Sequence, residues 1–150
     1  MTDLRQAWEE NAAAWVAWAR APGHDSYWRF DRDVFLELVP APSGRTLDLG
    51  CGEGRLARDL TALGHDVAGI DASPTMIAAA RAAGPKMELH LADAAALPFA
   101  DTSFGLVVAF MSLQRLREPK VPEAAFNDAS GRRWLRAPLF LHLRAVKRAP

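Results

Sequence analysis

The sequence contains one cysteine, Cys51, and one tyrosine, Tyr27, in 150 residues. A single cysteine cannot build an internal disulfide framework or a zinc-ligand set, and His24, His65, His90 and His142 have no metal-ligand spacing. No metal is therefore expected. Long apolar runs are also missing. The longest apolar stretch, Leu106 to Leu113, is far short of a membrane span, and no membrane partner is expected. The N-terminus, Met-Thr-Asp-Leu-Arg-Gln, has no basic region followed by an apolar run, so it does not read as a signal peptide, and a cytoplasmic location is expected. Internal repeats and low-complexity segments are absent. What is present is apolar material: half the residues are hydrophobic, enough for the core of one ordinary domain and too much for a disordered chain.

Net charge is zero, with 18 Lys+Arg against 18 Asp+Glu, but the balance is uneven along the chain. Residues 1–114 hold 9 basic and 15 acidic side chains, whereas residues 115–150 hold 9 basic and 3 acidic. A basic tail suggests either a nucleic-acid arm or a segment of different origin from the rest. Seven arginines lie there without a recognisable binding motif, so no nucleic-acid partner is expected.

Leu4, Trp8, Asn11, Trp15 and Trp18 recur at helical spacing, and the helix they define ends near Pro22-Gly23. Its tryptophan face either docks onto the core or lids a ligand pocket. A second helix is expected from about Tyr27 to Val39 with Phe30, Val34, Phe35 and Leu38 inward, stopping at Pro40-Ala-Pro-Ser-Gly44.

From Thr46 the pattern changes. Thr46–Leu49 reads as a strand, Gly50-Cys-Gly-Glu-Gly54 as a tight turn, and Leu56, Leu60 and Leu63 as a helical stripe ending at Gly64. Val67–Ile70 is the next strand. Ser73-Pro74 then starts a helix, with Ser as cap and Pro at the first position, an apolar face of Met76, Ile77 and Ala80, and Gly84 closing it. Met87–Leu91 and Phe104–Phe110 are a third and a fourth strand, with Asp101–Phe104 turning into the last. Apolar strands alternating with helices give an α/β fold with a parallel, doubly wound sheet.

A strand running into a helix through glycines places the helix N-terminus, with its free N–H groups, at the carboxyl edge of the sheet. Gly50, Gly52 and Gly54 allow positive φ and let a ligand lie against bare backbone. Asp71 follows 21 residues after Gly50, placed to accept from a ribose diol. The result is a nucleoside-cofactor crevice. A dinucleotide site favours Gly-x-Gly-x-x-Gly, but here the run is Gly-x-Gly-x-Gly, preceded by Asp48. That acid would repel a pyrophosphate and suits the cationic amino-acid end of S-adenosylmethionine. A third acid, Asp93, follows the third strand, where it could accept from an adenine amino group.

Leu47-Asp-Leu-Gly-Cys-Gly-Glu-Gly-Arg55, Val67-Ala-Gly-Ile-Asp-Ala-Ser-Pro74 and Ala92-Asp-Ala-Ala-Ala-Leu-Pro-Phe99 resemble, in order, the cofactor motifs of class I S-adenosylmethionine-dependent methyltransferases. Within that class they resemble the small-molecule branch called methyltransferase type 11. The resemblance covers about residues 1–114. It implies the first four strands of a seven-strand Rossmann-like fold: an N-terminal helical extension or lid at 1–44, a cofactor-binding core at 45–114 and a divergent basic tail at 115–150.

It also implies site roles. Gly50, Cys51 through its backbone, Gly52 and Gly54 would lie under the methionine moiety, with Asp48 orienting its amino-acid end. Asp71, with Ala72 beside it, would hold the ribose hydroxyls, Asp93 and the Ala94 backbone the adenine, and Met76 would pack against the base. Phe110 to Leu113 would line the methyl-transfer mouth. The implied partner is a small-molecule methyl acceptor. His24 and Tyr27 are candidates for a base, against plainer roles on the surface and in packing, and no catalytic residue is assigned.

The chain departs from the family at Gly105, where an acid is usual, and after Gln114, where a Pro-Gly-Gly-type turn and three more strands would follow. Either a shifted or truncated reading frame or a divergent short member accounts for the tail. The fourth strand would then expose an apolar edge open to self-pairing. The alternatives to an active methyltransferase are a non-catalytic, truncated cofactor-binding remnant and, less favoured, a nicotinamide-dependent oxidoreductase.

Overall fold

Thr46, Leu47 and Asp48 are all buried in a single strand, and the molecule is arranged around it. The computed structural model describes residues 4–23, 25–84 and 86–112. In chain order these form α1 (Leu4–Arg20), a π-helical turn (Tyr27–Asp31) running into α2 (Arg32–Leu38), β1 (Arg45–Leu49), α3 (Arg55–Ala62), β2 (Asp66–Asp71), α4 (Pro74–Ala83), β3 (Glu88–Leu91) and β4 (Leu106–Val108). His24, Leu113 and the expected tail lie outside the described residues.

The sheet order is β3-β2-β1-β4, and every pair is parallel. The chain steps outward from β1 through β2 to β3 and then crosses back to lay β4 on the other side of β1. The strand order thus reverses direction between β1 and β4, and open α/β sheets hold their ligands at the carboxyl edge beside such a point. Helical crossovers explain the parallel pairing. Ser73 caps α4 by accepting from the Met76 amide at 3.0 Å, Pro74 follows it, and Met76, Ile77 and Ala80 are buried as the sequence indicates. One apolar cluster joins Phe35, Leu56, Ala57, Leu60, Val67, Leu106 and Val108, and a second joins Cys51, Ile77, Ala80 and Leu89.

Four expectations about faces and lengths change. Along the expected second helix, Phe30 is 68% exposed and Val34 and Leu38 are also exposed, while Tyr27 and Phe35 point inward. The π-helical turn is the physical reason: it takes up more residues per turn than an α-helix and shifts the phase of everything around it. In α1 the residues fully buried are Ala12 and Ala19, not the tryptophans, and Asn11 bonds back to the Ala7 carbonyl of its own helix. Alanines let α1 approach α4 closely, where indole rings would hold the helices apart. The tryptophans stack along the flank, Trp8 edge-on to Trp15 at 6.0 Å and Trp15 against Trp18 at 5.0 Å. Leu63 is exposed because it lies past the end of α3. β4 is three residues long rather than seven, since only Leu106, Val107 and Val108 find partners on β1.

Candidate functional site

The crevice is built at the carboxyl ends of β1, β2 and β3. Gly50, Gly52 and Gly54 all have positive φ, at 75°, 55° and 81°. At Gly50 a second constraint applies: a Cβ there would sit 2.5 Å from the Cβ of Ser112. The loop after β4 thus presses directly onto the turn after β1, and the Ser112 hydroxyl donates to the Leu49 carbonyl at 2.5 Å.

The amides of the turn are not free. Gly50 and Cys51 both donate to the Ile70 carbonyl, at 2.9 and 2.8 Å, Gly52 donates to Asp71 at 2.9 Å, and Gly54 donates to the Cys51 carbonyl at 2.9 Å. The turn's own folding consumes these four; the free N–H groups expected from the sequence were those of the helix N-terminus, and the first amide of α3 that bonds back to the turn is Arg58, to the Gly54 carbonyl at 2.9 Å. Beside the turn lie the carboxyl groups of Asp48 and Asp71, a neighbourhood poorer for a pyrophosphate than for a cation.

Asp48 is 1% exposed, and its Oδ2 has no hydrogen-bond partner among the described residues. Burial, reinforced by the nearby Asp71 charge, pushes its carboxyl up to about 7. Asp71, at the end of β2, accepts from the Gly52 amide on one oxygen and from the Ser73 amide on the other, both at 2.9 Å. Burial raises its carboxyl, and these amides oppose the rise. The Cys51 side chain points inward, toward the Gly69 backbone, and burial drives its thiol far up. It is inert packing, as the sequence suggests.

Asp93 forms a turn with the Ala95 amide at 2.9 Å and pairs with Arg5 of α1 at 2.9 Å. Ala94 is half-buried, Ala72 is exposed, and Met76 is buried beneath the start of α4. The half-buried Phe110 ring is edge-on to Tyr27 at 5.3 Å and to Phe35 at 5.0 Å. Met111 beside it has a positive φ of 54°, unusual outside glycine. Tyr27, a candidate base, donates its hydroxyl to Asp59 at 2.7 Å, and burial holds its proton firmly. It is a packing residue in this setting.

Several contributors were not visible in the sequence. Helix α1 reaches all three loops of the crevice: Arg5 the loop after β3, Glu9 the loop after β2 through the Ser73 and Thr75 hydroxyls, and Arg20 the turn after β1 through Glu53 at 2.8 Å. These tethers join residues far apart in sequence, so no local pattern announces them. The charges along α1 were the one available signal. Glu53 is 3% exposed and is also bound by Arg58. Arg55 pairs with the buried Asp25 and lies 4.6 Å over the Tyr27 ring; burial brings its guanidinium down to about 10.

A family model described as a methyltransferase domain matches residues 46–133, more than half the chain. The chain belongs to the class I S-adenosylmethionine-dependent methyltransferases. The match continues past residue 114, where the recognisable motifs stop. This methyltransferase domain is 34% identical over 98 residues to a demethylmenaquinone methyltransferase of Renibacterium salmoninarum, covering 65% of this chain and 40% of that protein. It is 33% identical over 94 residues to a probable S-adenosylmethionine-dependent methyltransferase of Mycobacterium tuberculosis, covering 61% of this chain and 34% of that protein. Among solved structures, a TehB-like S-adenosylmethionine-dependent methyltransferase from Corynebacterium glutamicum superposes with a TM-score of 0.54 at 31% identity, over 69% of this chain and 55% of that one. The domain thus spans well under half the length of these curated relatives. Among the described residues no helix is long and apolar enough to cross a membrane, and no cluster of metal-ligating side chains occurs.

Proposed function

We propose that the crevice binds S-adenosylmethionine and that the domain supplies the cofactor half of a methyltransferase acting on a small-molecule acceptor. The observation that carries this is the pairing of a glycine turn that uses four of its five amides itself with a buried carboxyl, Asp48, whose Oδ2 has no partner among the described residues. Such a surface favours the ammonium of an amino-acid end and disfavours a dinucleotide phosphate. Asp48 would face that ammonium, Asp71 the ribose hydroxyls, and Asp93 the adenine amino group. Cys51, Gly52 and Gly54 would floor the site, with Ala72, Ala94 and Met76 around the base.

When bound, the sulfonium supplies an already activated methyl group, so the protein's contribution is alignment and exclusion of water. Helix α1, tethered to all three crevice loops, closes the nucleoside side, and Phe110 with Met111 and Ser112 borders the opposite side near Gly50. A small-molecule acceptor is supported by the Renibacterium relative, named for demethylmenaquinone. Calorimetric titration of the full chain with S-adenosylhomocysteine and with NADH tests the assignment. Binding of the first and not the second is expected; tighter binding of NADH overturns it.

A further inference from the structure

Among the described residues, Asp48 is a buried carboxyl with neither an ion pair nor a hydrogen-bond partner on its Oδ2. Asp48 lies near the carboxyl end of central β1, is 1% exposed, and keeps Oδ2 without a partner among the described residues. The ionisable groups acting on or sensing it are Asp71 from β2, the Cys51 thiol from the turn, and the Tyr27 phenol from the π-helical turn. None is a cation. The buried acids Glu53 and Asp25, by contrast, are paired, Glu53 with Arg20 and Arg58 and Asp25 with Arg55. A buried, unpaired carboxylate is costly, and the cheapest remedy is a proton.

We propose that Asp48 carries a proton in the ligand-free domain and releases it to solvent when the cationic amino-acid end of the cofactor docks, so that cofactor uptake is coupled to proton release. This rests on the cofactor assignment above and adds to it a regulation of the same site. On binding, the Asp48 O–H bond breaks, the proton leaves to buffer, and the carboxylate gains the ligand's ammonium as its counter-charge. No other bond changes. A carboxyl displaced to about 7 makes the coupling felt across the neutral range. Asp71 differs in the decisive respect: two backbone amides already stabilise its charged form.

The test is calorimetry of the full chain with S-adenosylhomocysteine in buffers of different ionisation enthalpy at one pH. Roughly half a proton should leave per ligand bound near pH 7 and almost none at pH 8.5. Affinity should fall by up to about tenfold for each pH unit below 7. Adenosine, which lacks the amino-acid end, should bind without proton release, and Asp48→Asn should bind S-adenosylhomocysteine without it. Buffer-independent heats and a flat pH profile would overturn the coupling while leaving the cofactor assignment intact. Proton release with adenosine would move the proton to another group and overturn the role of Asp48. Failure of S-adenosylhomocysteine to bind at any pH overturns both. If Asp48→Asn does not fold, the wild-type pH series and the adenosine arm decide alone.

Discussion

Replacing Gly50 with alanine places a methyl group where the chain after β4 already sits. Two costs combine. The backbone is at φ 75°, where an L-residue with a Cβ loses about 1–2 kcal/mol. The new Cβ would lie 2.5 Å from the Ser112 Cβ, and relieving such an overlap costs typically about 1–3 kcal/mol. Gly50→Ala should therefore destabilise by about 2–5 kcal/mol. Gly64→Ala makes the proper control, since Gly64 has φ 91° and an added methyl there would meet nothing within 4 Å; it should lose only the backbone part. Ser112→Gly removes the opposing Cβ, so the double variant should recover most of the difference, less about 1 kcal/mol for the lost bond to the Leu49 carbonyl. Urea denaturation of the four proteins measures all of this. Equal losses for Gly50→Ala and Gly64→Ala, with no rescue by Ser112→Gly, would refute the contact between the β1 and β4 loops on which the crevice depends.

Three further outcomes follow from the buried charges. Asp71→Ala should weaken S-adenosylhomocysteine binding by about 1–3 kcal/mol in titration, and unchanged affinity would remove Asp71 from the site. Asp48 holds a proton in the folded state that the unfolded chain gives up, so its contribution makes stability fall as pH rises from about 4 to about 7. Its full displacement corresponds to about 4 kcal/mol, and Asp48→Asn should flatten that slope in urea melts at pH 5 and pH 8; parallel slopes would contradict the neutral buried carboxyl. Asp25→Ala leaves the Arg55 guanidinium buried without its partner and should cost about 3–5 kcal/mol in the same melts, whereas a loss under about 1 kcal/mol would show that water reaches Arg55.

The sheet was readable because its signals are local. β1 and β2 are short runs stopped by Gly50 and by Asp71 itself, and Ser73-Pro74 marks the start of α4 within two residues. The glycine turn was equally plain, with three glycines at positive φ between a strand and a helix. The orientation of the helices was not. Choosing the most apolar residues as the inward face fails for α2, where a π-helical turn shifts the phase, and for α1, where small alanines decide how near the helices come. The fate of three of the turn's amides was also hidden, because their acceptors, the Ile70 carbonyl and the Asp71 carboxylate, belong to the neighbouring strand. The tethers of α1 rest on pairings across the fold that become visible only when β1, β2 and β3 end side by side.

The most direct measurement is a crystal structure of the full chain grown with saturating S-adenosylhomocysteine. The nucleoside should lie across the Gly50–Gly54 turn with its ribose on Asp71 and its ammonium toward Asp48. A turn filled by the protein's own side chains, or ligand bound elsewhere with the turn bare, would contradict the assignment.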